Sequence, residues 1–246
     1  SRIDLQELAA DFDLCDAFER LCQMYPTAFV AAIYLPELQN VWLCATPETL
    51  VSQDSEGIFR TISLAGTQSG LDAAGNLLSP SEARWSQKEI EEQAYVSRYI
   101  IECFKKIRLR EYIENGPKTV LAGNLMHLKT EYAVNTREYA YPGLITQMLG
   151  LLHPTSAVCG TPKEAALDWI LQTEKHDRSL YSGYLGPINL ASETHLFVNL
   201  RTVQISGNQA CYFAGCGITE DSDPEKEWQE TQMKCQTLQR VINASL

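Results

Sequence analysis

Two periodicities alternate along this chain. Asp4-Leu5-Gln6-Glu7 has the form of a capping box, and apolar residues then return at helical spacing to about Met24, so a helix is predicted there. Residues 27–35 and 40–44 fit two paired strands around a Pro36-Glu37-Leu38-Gln39-Asn40 connection. Another strand is predicted over 57–64, and 67–81, rich in Gly, Ser, Asn and Asp, reads as a mobile loop. A long helix is expected over 81–106 and strands near 109–113, 119–121 and 125–133. Helices over 137–152 and 161–174 frame His153-Pro154-Thr155. The last third reads as strands over 180–188, 195–205 and 209–215, closed by a helix from Pro224. Strands and helices mix without a regular βαβ rhythm, which predicts an α+β class. No internal repeat, low-complexity tract or linker interrupts the pattern.

The last helix carries the most informative polar pattern. Asp223 suits an N-cap and Pro224 the first helical position. Glu227, Glu230 and Lys234 then fall at i, i+3 and i+7 on a face that continues into Leu238 and Val241. Taken on spacing alone, the charges favour a solvated face with a Glu230–Lys234 surface pair. The run into a core stripe also suits two carboxylates and an ammonium holding a divalent cation and an anionic ligand together.

Composition narrows the partners. The chain has 246 residues, enough for one large or two small domains, with 45% hydrophobic and 21% charged residues. Twenty basic residues against 31 acidic ones give a net charge of −11, which argues against nucleic-acid or anionic-membrane surfaces. An anionic substrate therefore needs a local cation or a local basic cluster. No apolar run approaches a membrane span, and no signal-peptide pattern is visible. The eight cysteines form no C-x-x-C pair and most sit in apolar runs, so neither a zinc site nor a disulfide framework is expected, and a reduced cytoplasmic setting fits best. The chain opens at Ser1-Arg2-Ile3 rather than at Met, so it reads as N-terminally truncated.

Eight segments occur in an order that no single one would make specific. They are Thr46-Pro47-Glu48, Leu64-Ala65-Gly66-Thr67, Leu152-His153-Pro154-Thr155, Cys159-Gly160-Thr161-Pro162, the run 177–183 (DRSLYSG), Val198-Asn199-Leu200-Arg201, the run 213–218 (FAGCGI) and the run 222–234 (SDPEKEWQETQMK). Together they resemble the chorismate-binding enzymes, most closely the isochorismate synthases of menaquinone and siderophore pathways, over nearly the whole chain. The fold this resemblance implies is α+β, two stacked and mostly antiparallel sheets flanked by helices. Residues 1–246 would be the C-terminal part of one such domain. The implied reaction is Mg²⁺-dependent: water adds at ring carbon 2 of chorismate and the 4-hydroxyl leaves, giving isochorismate. Family members use a lysine base in a K-V-V-L-S-R-like strand. Ser1-Arg2 matches the end of that strand, which puts the base upstream of this chain. Alternatives are a salicylate synthase, an anthranilate or aminodeoxychorismate synthase component I, or a non-catalytic fragment that binds chorismate and Mg²⁺.

The resemblance assigns roles residue by residue. Glu48 becomes the general acid, although Thr46-Pro47-Glu48 also reads as the start of a helix. Glu92 and Glu230 become magnesium ligands, with Glu227 a second or outer ligand. Glu92 lies 44 positions after Glu48 (92 − 48) and leads into Val96, Tyr99 and Cys103, while Glu89 and Glu91 read as solvated. Lys234 and Arg201 would meet the substrate carboxylates. Arg201 reads as a strand residue pointing with Phe197 and Asn199, and its alternative is a paired structural arginine. Gly215 and Gly217 would flank a turn whose N–H groups receive the second carboxylate, with Cys216 where the family usually has Ala. Gly66 joins the substrate site, and its neighbours Thr67-Gln68-Ser69-Gly70 depart from an Arg-containing loop of the family. His127 would sit near the ring hydroxyl, against the alternative of a satisfied structural histidine; His153 reads as structural. Ala157 stands where aminating relatives carry threonine, which favours water chemistry. Chorismate is then the only expected partner: no nucleic acid, no membrane and no obligatory protein, in a monomer or weak dimer.

Overall fold

The computed structural model describes residues 1–72, 74–122, 125–139 and 141–243. Its first half runs β1 (Arg2–Glu7), α1 (Leu14–Met24), β2 (Phe29–Leu35), β3 (Asn40–Thr46), β4 (Thr49–Gln53), β5 (Ile58–Ser69), α2 (Gln87–Lys106), β6 (Ile113–Ala122) and β7 (Leu125–Asn135). The second half runs α3 (Leu144–Leu152), α4 (Ser156–Cys159), α5 (Lys163–Thr173), β8 (Tyr184–Leu185), β9 (Thr194–Val198), β10 (Thr202–Ser206), β11 (Gln209–Ala214) and α6 (Pro224–Ile242). The α+β expectation holds, and the chain divides into two units with one antiparallel sheet each. No helix among the described residues is long and apolar enough to cross a membrane.

The first unit comprises residues 1–47, 172–182 and 199–246, around a five-stranded sheet of order β1-β11-β10-β3-β2. The predicted hairpin of β2 and β3 is present. The predicted helix from Asp4 is not. Residues 2–7 pair along their whole length with β11, and helix α1 starts only at Leu14, where Asp13 accepts from the N–H groups of Cys15 and Asp16. A capping box satisfies two backbone donors, whereas the strand ladder satisfies the backbone of the whole segment, so tertiary pairing wins over the local signal. Helices α1 and α6 cover one face, where Leu21 and Leu238 pack with Leu43 and Val203. Residues of opposite parity serve another cluster, in which Trp42 stacks on Phe213 at 5.3 Å and Phe213 on Tyr181 at 5.5 Å. Strand β3 is therefore apolar on both faces and reads as a continuous run instead of an alternation.

The second unit comprises residues 48–171 and 183–198, around a six-stranded sheet of order β6-β7-β5-β4-β9-β8. Helix α2 packs on β5 and β7, with Phe104 edge-on to Tyr132 at 6.0 Å. Several boundaries move. Strand β5 runs through to Ser69, and Leu71 bridges Leu77, so the expected loop 67–81 is partly paired; its residue 73 lies outside the described residues. Helix α2 begins at Gln87 because Ser86 and Glu89 form a capping box, which makes Glu89 a cap and not a solvated charge. The helix expected from 137 starts only at Leu144, after Gly143 at φ 73°; residue 140 lies outside the described residues. The strand expected over 180–188 shrinks to Tyr184–Leu185. The strand expected over 195–205 is two strands, β9 and β10, which pair in different sheets. The break falls at 199–201, where Arg201 adopts φ 47°.

Candidate active site

Glu48 sits in the corner between β3 and β4, and no helix follows Thr46-Pro47, so the helix-start reading of those residues is overturned. The corner is held by pairing: the Glu48 carbonyl accepts from Val198 N–H at 2.9 Å. The Glu48 side chain is only 7% exposed. It lines a cavity of about 10 Å³ with Thr61, Tyr99 and Thr155 among mostly aliphatic neighbours such as Leu50, Val96 and Leu152.

His127 lies on β7 and is 4% exposed. Its Nδ1 is 2.9 Å from the Gly66 carbonyl oxygen and 3.4 Å from Thr67 Oγ1. A carbonyl only accepts, so Nδ1 carries the proton in this contact. Gly66 belongs to an irregularity of β5 between Ala65 and Gln68, at φ +67°. An added Cβ would come within 3.0 Å of Glu89 Cβ and 3.2 Å of the Trp85 ring, so close packing by itself accounts for this glycine. Glu92, half-buried on α2, faces Lys88 Nζ at 3.5 Å. Ala157 is half-buried on the short α4, two residues after Thr155.

The first unit gathers the other predicted residues. Lys234 Nζ stands 2.6 Å from Glu230 Oε1 and donates to the Gly215 carbonyl at 2.8 Å. Both side chains of the ion pair are less than a fifth exposed, at 17% and 18%, so the face is not simply solvated. Glu227, one turn earlier, is 5% exposed. The Cys216 thiol lies beside all three. Burial pushes it up to about 11, Lys234 opposes this, and Glu227 and Glu230 add to it, Glu227 accepting a hydrogen bond from the thiol. Gly215 presents its carbonyl to Lys234, a different use from the N–H groups expected of the 215–217 segment, and an added Cβ there would lie 2.9 Å from Tyr181 Oη. Gly217 is exposed. Arg201 is not a strand residue aligned with Phe197 and Asn199. From the break after β9 its Nη1 donates to Thr237 Oγ1 on α6 at 3.3 Å. The phenol of Tyr25, raised by burial, is drawn back by Arg240 and Arg201, so Arg201 also lies near the end of α1.

Among the described residues, no group of three or more His, Cys, Asp and Glu side chains could hold a metal ion. Within the first unit, Glu227 and Glu230 stand one turn apart on α6 and offer hard carboxylate oxygens, the donor type magnesium takes; Glu92 stands on α2 of the second unit.

Sequence reasoning missed two groups. Glu174 accepts two hydrogen bonds from Arg178, at 2.7 and 2.6 Å, as well as one from the Ser1 hydroxyl. Burial pushes its carboxyl up, but Arg178 and Ser1 outweigh this and hold it at about 2. The i,i+4 spacing of Glu174 and Arg178 was the available signal. Thr155 was quoted only as part of a motif, and nothing local marks its hydroxyl as belonging to the Glu48 cavity.

The model of the family described as chorismate binding enzyme matches residues 2–243. The isochorismate synthase EntC of Escherichia coli (strain K12) is 32% identical over 232 residues, 91% of this chain and 56% of that protein. The isochorismate synthase MenF of Bacillus subtilis (strain 168) is 29% identical over 208 residues, 85% of this chain and 43% of that protein. The chain thus spans about half the length of these curated relatives. Among solved structures, the menaquinone-specific isochorismate synthase MenF of Escherichia coli superposes with a TM-score of 0.80 at 22% identity, covering 98% of this chain and 55% of that one. Anthranilate synthase component I of Streptococcus pneumoniae superposes with a TM-score of 0.77 at 21% identity, covering 96% and 51%. At these identities the superpositions speak for the fold.

Proposed function

This chain belongs to the chorismate-binding enzyme family, and we propose that within it the protein is a Mg²⁺-dependent isochorismate synthase acting on chorismate. The observation that carries the reading is Glu48, a 7%-exposed carboxyl lining an aliphatic cavity at a strand corner, suited to hold a proton and release it to a leaving hydroxyl. EntC of Escherichia coli and MenF of Bacillus subtilis are both isochorismate synthases, which supports water as the nucleophile, as does Ala157.

In this reading water adds at ring carbon 2 and gives up a proton, while the 4-hydroxyl takes the Glu48 proton and departs as water. The result is an isomer of chorismate. The lysine base that the family resemblance implies accepts the proton of the attacking water. Lys234, fixed by Glu230 and the Gly215 carbonyl, brings an ammonium to a substrate carboxylate, and Arg201 brings a guanidinium. His127, with Nδ1 tied to the Gly66 carbonyl, holds its ring fixed beside the substrate hydroxyl. Gly66, Ala157, Gly215 and Gly217 shape the substrate site. Magnesium, held by Glu92 and Glu230 with Glu227 as the further carboxylate, would neutralise the ring carboxylate. The eight free thiols, four of them buried, suit a reducing cytoplasm.

The test is to incubate the full-length protein with chorismate and Mg²⁺ and resolve the products by chromatography. Isochorismate is the expected product. Finding only anthranilate, aminodeoxychorismate or salicylate would sink the reading.

A further inference from the structure

Thr155 occupies the N-cap position of α4, yet its side chain makes no capping hydrogen bond. Threonine at this position ordinarily accepts from a backbone N–H of the first turn. Instead its Oγ1 is buried and has no hydrogen-bond partner among the described residues. A buried hydroxyl left in that state costs about 1–3 kcal/mol, so an unused one calls for an explanation.

The cavity supplies it. Thr155 and Glu48 line the same cavity, whose volume of about 10 Å³ is room for about one water. Other hydroxyls on its wall are committed elsewhere: Thr61 Oγ1 donates to the Leu50 carbonyl at 2.7 Å and Tyr99 Oη to the Leu151 carbonyl at 2.6 Å. The turn carrying Thr155 is also braced. Lys163 Nζ donates to the His153 carbonyl at 2.6 Å and to the Leu151 carbonyl at 3.4 Å, fixing the backbone just before Thr155. Thr155 stands on a braced turn and shares the lining of this cavity with Glu48, which puts its unused hydroxyl in reach of orienting the Glu48 carboxyl.

We propose that Thr155 is a positioning residue for Glu48: its hydroxyl donates to one water in the shared cavity, that water donates to the carbonyl oxygen of the protonated Glu48 carboxyl, and the O–H of the carboxyl is thereby held towards the leaving hydroxyl. The proposal rests on the reading of Glu48 as the acid. Thr155 touches no reacting atom and acts only through Glu48. Its hydroxyl, not its bulk, is the working part, so valine at this position keeps the volume and removes the effect, while serine retains it.

The test compares Thr155→Val and Thr155→Ser with the unmodified full-length protein. Thr155→Val is expected to lower kcat tenfold or more while KM stays within twofold, and Thr155→Ser to recover most of the loss. A second readout does not depend on turnover. The infrared C=O stretch of protonated Glu48, identified by its disappearance in Glu48→Gln, should move to higher frequency in Thr155→Val and stay in place in Thr155→Ser. Unchanged kcat and an unmoved band in Thr155→Val would overturn the proposal. Equal losses in both variants with an unmoved band would overturn it too, because bulk and packing would then account for the effect. If the unmodified protein makes no isochorismate, the reading of the reaction fails, and the band alone still decides whether Thr155 orients Glu48.

Discussion

Replacing Arg178 with methionine removes the fork that holds Glu174 while keeping much of the aliphatic bulk. Arg178 donates to both Glu174 oxygens at 2.6 and 2.7 Å, and the Glu174 side chain is 11% exposed. The Glu174 carboxyl is held at about 2, well below the ordinary carboxylate range. A depression of that size corresponds to at most about 3 kcal/mol, and solvent screening of the partly exposed partners brings it to roughly 1–2 kcal/mol. The folded state holds the carboxyl below its unfolded value. Its stabilisation is therefore complete above about pH 4.5 and is lost as pH falls towards 2. Arg178 supplies only part of it, since the Ser1 hydroxyl also donates to Glu174. Urea unfolding at pH 7 should show Arg178→Met less stable than the unmodified protein by about 1–2 kcal/mol, with an unchanged m-value. At pH 2.5 the gap should close to less than half. A gap of the same size at both pH values would refute the ionic account and leave packing against Tyr181, whose ring lies 6.0 Å from the guanidinium, as the explanation.

Two further outcomes follow from the α6 cluster. Lys234→Met leaves the Gly215 carbonyl and Glu230 without their ammonium, and should cost about 1–2 kcal/mol in thermal or urea unfolding and reduce kcat/KM for chorismate at least a hundredfold. A variant that loses stability but keeps kcat/KM would remove Lys234 from substrate binding. Chelation of magnesium with EDTA should abolish isochorismate formation, and added Mg²⁺ should restore it; full activity after exhaustive chelation would exclude the magnesium assignment.

The helix carrying that cluster was legible because its signals are local. Asp223 accepts from Lys226 N–H, Pro224 fills the first turn, and Leu238 and Val241 continue the stripe into the core, all within one segment. The β2–β3 hairpin was legible for the same reason. What failed depended on partners distant in sequence. Residues 2–7 pair with residues 209–214, and no local rule announces that ladder over a capping box. The break at Arg201 escaped because 195–205 keeps a strand-like pattern across two strands that pair in different sheets. The same gap hid Thr155. Its place in the Glu48 cavity is set by the packing of α3 on β4 and of α4 on α2, which no spacing within the motif records.

Glu48 of the second unit and Glu227 of the first are both deeply buried glutamates, set among different neighbours. Glu48 is 7% exposed and Glu227 is 5% exposed, so each would pay a heavy desolvation penalty as an isolated anion. Their neighbours answer this differently. Around Glu48 the cavity wall is largely aliphatic, and the hydroxyls of Thr61 and Tyr99 are spent on backbone carbonyls. Around Glu227 stand the Cys216 thiol, which donates to it, and the Glu230–Lys234 pair one and two turns on. That setting supplies a hydrogen-bond donor and a nearby cation. On the proposed reading, Glu48 is the group that gives up a proton, and Glu227 is the charged carboxylate that backs Glu230 towards a metal. The substitution Cys216→Ala puts this to the test, because it removes a donor from a buried carboxylate. It should weaken magnesium-dependent activity by raising the Mg²⁺ concentration needed for half-maximal rate, and should leave kcat at saturating Mg²⁺ within about threefold. A fall in kcat with no change in the Mg²⁺ requirement would place Cys216 and Glu227 with the substrate instead of the metal.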